Sequence, residues 1–122
     1  MAQLNETGRV GEELARRHLE SKGYRILEAN WRYSRAEVDI IAMDGPILVF
    51  VEVKTRATDA FGRPEDFVNR KKEKLLAMAA AAYMDSIGHD WEVRFDVISI
   101  LYRHEADFEV QHLKDAFFPG LE

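Results

Sequence analysis

The stretch "AEVDIIAMDGPILVFVEVKTR", residues 36 to 56, leaves this chain few ways to fold. Two runs rich in Val and Ile flank the turn signal "DGP" at 44 to 46, so they read as the two strands of a hairpin. In the second run Ile47, Val49, Val51 and Val53 face one way, and Leu48, Phe50, Glu52 and Lys54 the other. Both faces begin apolar, the pattern of a central strand covered on each side. The second face turns charged only at the strand's C-terminal end, which is expected to open onto a site.

The rest of the chain supplies the covering layers. Asn5 and Thr7 are cap-type residues, Val10, Leu14 and Leu19 recur near helical spacing, and Gly23 is a stop, which predicts a helix over roughly 6 to 22. "YRILEANW" follows as a first strand. After the hairpin and the loop "RATDAFGRP", Pro64 suits the start of a long helix, "EDFVNRKKEKLLAMAAAAYMDSIG". Its Ala-rich second half has high helix propensity, and Gly88 suits its end. "WEVRFDVISILYR" is a fourth strand, and "FEVQH" pairs with it across "HEAD". The order is α-β-β-β-α-β-β in a single domain, residues 1 to 122, without repeats or linkers.

Composition bounds the chemistry. No cysteine is present, so disulfides and thiolate metal sites are excluded, and any metal must be held by oxygen or histidine. A reducing compartment follows most simply. No apolar run suits a signal peptide or approaches the ~20 residues of a membrane span, so a cytoplasmic protein without membrane contact is expected. The net charge of −5 is unevenly spread. Residues 1 to 74 hold fourteen Lys/Arg against thirteen Asp/Glu, and residues 75 to 122 hold three against nine. The first part can therefore present a basic face to nucleic acid, and bound divalent cations would make it more positive.

Glu52 and Lys54, two apart on a strand, lie ~6.6 Å apart along one face, close enough to address one small group together. An ion pair at a strand end is the alternative, and Glu20-Ser21-Lys22 shows that the spacing recurs without chemistry. The hairpin partner distinguishes the two cases. Asp39 interrupts the apolar run Val38, Ile40, Ile41, and a carboxylate within core material must be paired, liganded or exposed at a gap. The turn folds Asp39 back to the level of Glu52. Two hard oxygen ligands beside a lysine suit Mg²⁺ or Mn²⁺, and the chemistry implied is phosphodiester hydrolysis.

Asp39, the thirteen-step interval to Glu52, then Val53 and Lys54, inside this element order, resemble the PD-(D/E)XK nuclease superfamily with its restriction-endonuclease-like fold. "GRVGEELARRHLESKGYRIL", the hairpin and "RFDVISI" look more closely like the YraN family of small, uncharacterised bacterial proteins, similar to archaeal Holliday junction resolvases. The resemblance implies a central mixed sheet with helices on both faces. It also implies Asp39 and Glu52 as metal ligands with the Val53 carbonyl, Lys54 as the catalytic lysine, and Glu12 of "GEELA" as a further carboxylate ligand. Glu12 and Glu13 are equally what a solvated helix face carries. Ala36 and Val38 stand where such sequences usually have Gly and Pro.

Glu37 shares a face with Asp39 and can orient a water or bind Arg35. Arg35, Arg56, Arg70, Lys71 and Lys72 are the candidates for DNA phosphates, with a solvated helix face as the alternative for "RKKEK". His18, His89, His104 and His112 lack metal-ligand spacing and read as surface residues. Asp96 interrupts an apolar strand as Asp39 does, but Arg94 is two residues away on the same face, and a structural ion pair explains it. The expected function is that of a metal-dependent endonuclease-like protein acting on DNA, with branched DNA as the substrate and a homodimer as the assembly that the resemblance suggests. Other readings are a non-catalytic nucleic-acid-binding module that keeps the nuclease fold, and a scaffold protein. Gly8 and Gly11 are expected to let the first helix lie close to the sheet, so that Glu12, Asp39 and Glu52 converge.

Overall fold

The computed structural model describes residues 2–57 and 70–117, with side chains at 8–57 and 71–117. The loop from residue 58 onward and the helix start expected at Pro64 lie outside the described residues. Helix α1 spans Ala2–Ser21 and α2 Arg70–Ile87. Each ends where the sequence places a glycine. Gly23, at φ 91°, lets the Tyr24 N–H reach the Leu19 carbonyl at 3.0 Å, and Gly88, at φ 69°, lets the His89 N–H reach that of Met84 at 2.9 Å.

Five strands form one sheet: β1 (Arg25–Tyr33), β2 (Ala36–Asp44), β3 (Ile47–Arg56), β4 (Val93–His104) and β5 (Asp107–Leu113), in that spatial order. Neighbours are antiparallel except β3 and β4, which run parallel, so the sheet is mixed. A parallel pair needs a long crossover, and α2 lies within it.

Strand β3 is central, and its two faces are buried by different helices. Val49 and Val51, with Ile40 and Ile98 beside them, cluster with Ala15 and Leu19 of α1. Leu48 and Phe50, with Phe95, cluster with Leu76, Ala79 and Ala80 of α2. The rings of Phe50 and Phe95 stack at 5.4 Å, and the Tyr83 ring of α2 meets Phe50 edge-on at 6.2 Å. Truncating Phe50 to alanine therefore costs about 3–5 kcal/mol in lost burial and cavity. The apolar start of both faces of "ILVFVEVKT" is thus explained by one helix on each side.

The two helices also frame the charged end of β3. A side chain on Gly11 would place its Cβ 1.7 Å from Thr55 Oγ1, so only glycine lets α1 lie this close to β3. Gly8 has nothing within 4 Å of such a Cβ, and Gly11 alone makes the close approach expected of the pair. Glu12 is consequently fixed near the strand end, while the first described turn of α2 brings Lys71 and Lys72 to the opposite side.

Candidate active site

Asp39 marks the place where β2 leaves β3. Their pairing runs from Asp44 opposite Ile47 to Ile40 opposite Val51 and goes no further. Val38 and Ile41 pack on the α2 face, whereas Ile40 and Ala42 pack on the α1 face. Unbroken alternation would put Val38 with Ile40, so the alternation of faces breaks between them, although the pairing with β1 keeps one register from Tyr33–Ala36 to Glu28–Ile41. The Val53 N–H is met by a side chain there: it donates to Asp39 Oδ2 at 2.8 Å.

Asp39 lines two clefts. One, of about 530 Å³, lies between the strand ends and α2 and is also lined by Arg35, Glu37, Glu52, Lys54, Lys71 and Lys72. The other, of about 700 Å³, lies along α1 and includes Arg9, Glu12 and Asn30. Burial, followed by the charge of Glu52, pushes the Asp39 carboxyl up to about 7. The Val53 hydrogen bond and the Lys72 charge oppose this rise, and the Glu12 charge adds to it. A neighbouring negative charge in a poorly hydrated place raises a carboxylate's affinity for positive charge, as Glu52 does for Asp39.

Glu52 is 6 % exposed and so requires a positive partner. Two ammonium groups address it. Lys72 of α2 contacts Glu52 Oε2 directly, and Lys54 Nζ lies 3.7 Å from the same oxygen. The strand spacing of Glu52 and Lys54 was legible in the sequence; the approach of Lys72 from twenty residues away was not, and its only sequence signal is "RKKEK" following the strand.

Glu12, on α1, lines the larger cleft with Asp39 and not the smaller one that holds Glu52. Burial raises its carboxyl above the ordinary range, a hydrogen bond with the Asn30 side chain works against this, and the charges of Glu37 and Glu52 add to it. Asn30 adopts φ 53°, a left-handed conformation that asparagine tolerates better than most residues. Sequence reasoning passed over Asn30, although an asparagine inside a strand pattern is a signal of irregular backbone. Glu37 pairs with Arg32 at 3.6 Å rather than with Arg35, and Arg35 stands exposed at the mouth of the smaller cleft. Arg56 closes β3 and is half-buried, and the side chain of Arg70 lies outside the described residues.

Among the described residues, no three Asp, Glu or His side chains are gathered into a ready-made metal cage. The donor chemistry nonetheless fits a hard divalent cation. Asp39 and Glu52 are oxygen donors in one cleft, each already held by a positive or N–H partner, and Val53 lines the same cleft. An ion that keeps several of its waters needs no third carboxylate.

A second buried carboxylate has a different environment. Asp96, fully buried, accepts two hydrogen bonds from Arg94, at 2.9 and 3.1 Å, one from the Asp115 N–H at 3.0 Å and one from His112 Nε2 at 2.7 Å. Arg94 also donates to Asp44 and to the Tyr24 hydroxyl. Burial alone would raise Asp96, but His112, Arg94 and the Asp115 N–H together hold it below the usual carboxylate range. The expected Arg94–Asp96 ion pair is present. His18 and His112, expected at the surface, are instead half-buried and bonded to each other at 3.1 Å, because α1 and β5 both pack against this network. Burial, followed by the neighbouring charges of His112 and Lys22, lowers the pKa of His18. With every oxygen of Asp96 engaged, this cluster is structural.

The profile of the uncharacterised protein family UPF0102 matches residues 11–100. A UPF0102 protein of Flavobacterium johnsoniae is 49 % identical, covering 97 % of this chain and 98 % of its own. One from Chlorobaculum tepidum is 47 % identical over 93 % of this chain and 92 % of its own. Another, from Bacteroides thetaiotaomicron, is 43 % identical over 99 % of each. No helix among the described residues is long and apolar enough to cross a membrane.

Proposed function

This chain belongs to the uncharacterised protein family UPF0102, the YraN family, and on that premise we propose that it is a metal-dependent endonuclease with a restriction-endonuclease-like fold that hydrolyses DNA phosphodiester bonds. The observation that carries the reading is that Asp39 and Glu52 line one cleft of about 530 Å³ at the end of β3, the charge of Glu52 acting on Asp39, with Lys54 3.7 Å from Glu52. A structural ion pair needs one carboxylate, whereas here the charge of Glu52 adds to the cost of ionising Asp39. Branched DNA of the Holliday type is the substrate that the resemblance favours, in the cytoplasm and by a homodimer, whose two-fold symmetry answers two related cuts.

Asp39, Glu52 and the Val53 carbonyl would hold Mg²⁺ or Mn²⁺, with Glu12 as the further carboxylate from α1. Such an ion supplies Lewis-acid polarisation of a phosphoryl oxygen and a bound water of lowered pKa. The chain's own residues do the rest. The Asp39–Val53 hydrogen bond fixes one donor against the backbone of the strand that carries the other. Lys54 steadies the charge that grows on the phosphorus oxygens. Arg35 and Lys71, exposed at the cleft, meet flanking phosphates, with Arg56, Arg70 and Lys72 as further candidates.

The test is cleavage of labelled four-way junction, flap and single-stranded DNA with Mg²⁺ or Mn²⁺, beside binding in EDTA at several salt concentrations. Metal-dependent cuts that Asp39→Asn and Glu52→Gln abolish are expected, with binding that weakens steeply with salt. DNA binding that never leads to cleavage would replace this reading with that of a binding module, for which the occupation of Glu52 by Lys72 speaks. Neither binding nor cleavage would leave the scaffold reading.

A further inference from the structure

Lys72 occupies a position that a role at DNA phosphates does not explain. Its ammonium is in direct contact with Glu52 Oε2, nearer than that of Lys54 at 3.7 Å, although Lys54 shares a strand with Glu52 and Lys72 comes from a different element. The Glu52 side chain is 7 % exposed and that of Lys72 32 %. Both side chains line the smaller cleft, the carboxylate nearly buried and the ammonium about a third exposed. A buried carboxylate left without a partner costs several kcal/mol, so Glu52 holds a cation at all times. The partly exposed lysine regains hydration when it leaves, and the carboxylate does not.

We propose that Lys72 is the resident counter-ion of Glu52 and that a divalent cation must displace it to bind. This rests on the metal reading of Asp39 and Glu52. The exchange forms and breaks only ionic contacts: Glu52 gives up the ammonium and takes the divalent ion, and the ammonium turns to the cleft beside Lys71. Lys72 is therefore a positioning residue of the metal-free state, one that keeps Glu52 ordered and lowers the cleft's affinity for the metal alone.

Calorimetric titration of the metal-free protein with Mn²⁺ alone tests this without any turnover. Lys72→Gln is expected to bind Mn²⁺ about tenfold more tightly than the parent, because the competing pair is gone. Lys71→Gln removes the same charge from the same cleft, but from an exposed residue, and is expected to stay close to the parent. Should Lys72→Gln fail to fold, Lys72→Arg retains the pair and is expected to bind Mn²⁺ no more tightly than the parent. Equal gains in Lys71→Gln and Lys72→Gln would reduce the effect to general charge and overturn the proposal, as would unchanged or weaker binding by Lys72→Gln, or tighter binding by Lys72→Arg. Absence of Mn²⁺ binding from the parent and from all of these variants, with Glu52→Gln indistinguishable, would remove the metal reading itself and this proposal with it.

Discussion

Asp39 accepts the N–H of Val53 at 2.8 Å, just past the last paired residues of β2 and β3, so a side chain meets the strand where the ladder has ended. An asparagine carbonyl can accept the same bond. Asp39→Asn is therefore expected to fold with at least the parent's stability at neutral pH, since burial and Glu52 both disfavour the carboxylate there. Asp39→Ala loses the acceptor and about 1 kcal/mol relative to it. Both lose metal-dependent cleavage, which thermal melts and a nicking assay together would show.

Lys54 separates catalysis from anchoring. If it stabilises charge that develops in the transition state, Lys54→Ala lowers the single-turnover cleavage rate by about a hundredfold or more while DNA affinity changes little. Affinity loss with an unchanged rate for the bound complex would make Lys54 an anchor. Rate and affinity measured on the same junction substrate decide between them.

The Asp96 network makes stability depend on pH. Its folded-state pKa is depressed below that of the unfolded chain, so its contribution is complete above the unfolded value of about 3.9 and is lost as pH falls through that value toward the folded one. Asp96→Asn is expected to be less stable than the parent at pH 7 and to show a flatter acid limb in urea melts. Arg94→Met leaves the buried carboxylate without its bidentate partner and is expected to cost about 3–5 kcal/mol, a larger loss than Asp96→Asn produces.

Gly11→Ala tests the seating of α1. The new methyl would lie 1.7 Å from Thr55 Oγ1 and 2.7 Å from its Cβ, so helix or strand must shift, at about 1–3 kcal/mol. Thr55→Ala in the same chain removes the nearest atom and is expected to restore part of the loss. Gly8→Ala, with open space around it, is expected to be neutral or slightly stabilising. Denaturant midpoints of the four proteins would check the order.

The sequence by itself determined the order of elements, the centrality of β3 and the helix stops at Gly23 and Gly88, because hydrophobic period and backbone conformation are local properties that residues write directly into the chain. It also placed Asp39 beside the end of β3, since a tight turn fixes the register of a hairpin. What it left undecided depends on elements far apart in the chain. The change of face between Val38 and Ile40 is one such feature, and no periodicity in "AEVDII" announces it. The contact of Lys72 with Glu52 and the burial of His18 against His112 were decided by how α2, α1 and β5 dock on the sheet. A charged side chain's partner is chosen by proximity in the folded state, and distant proximity is a property of packing rather than of spacing.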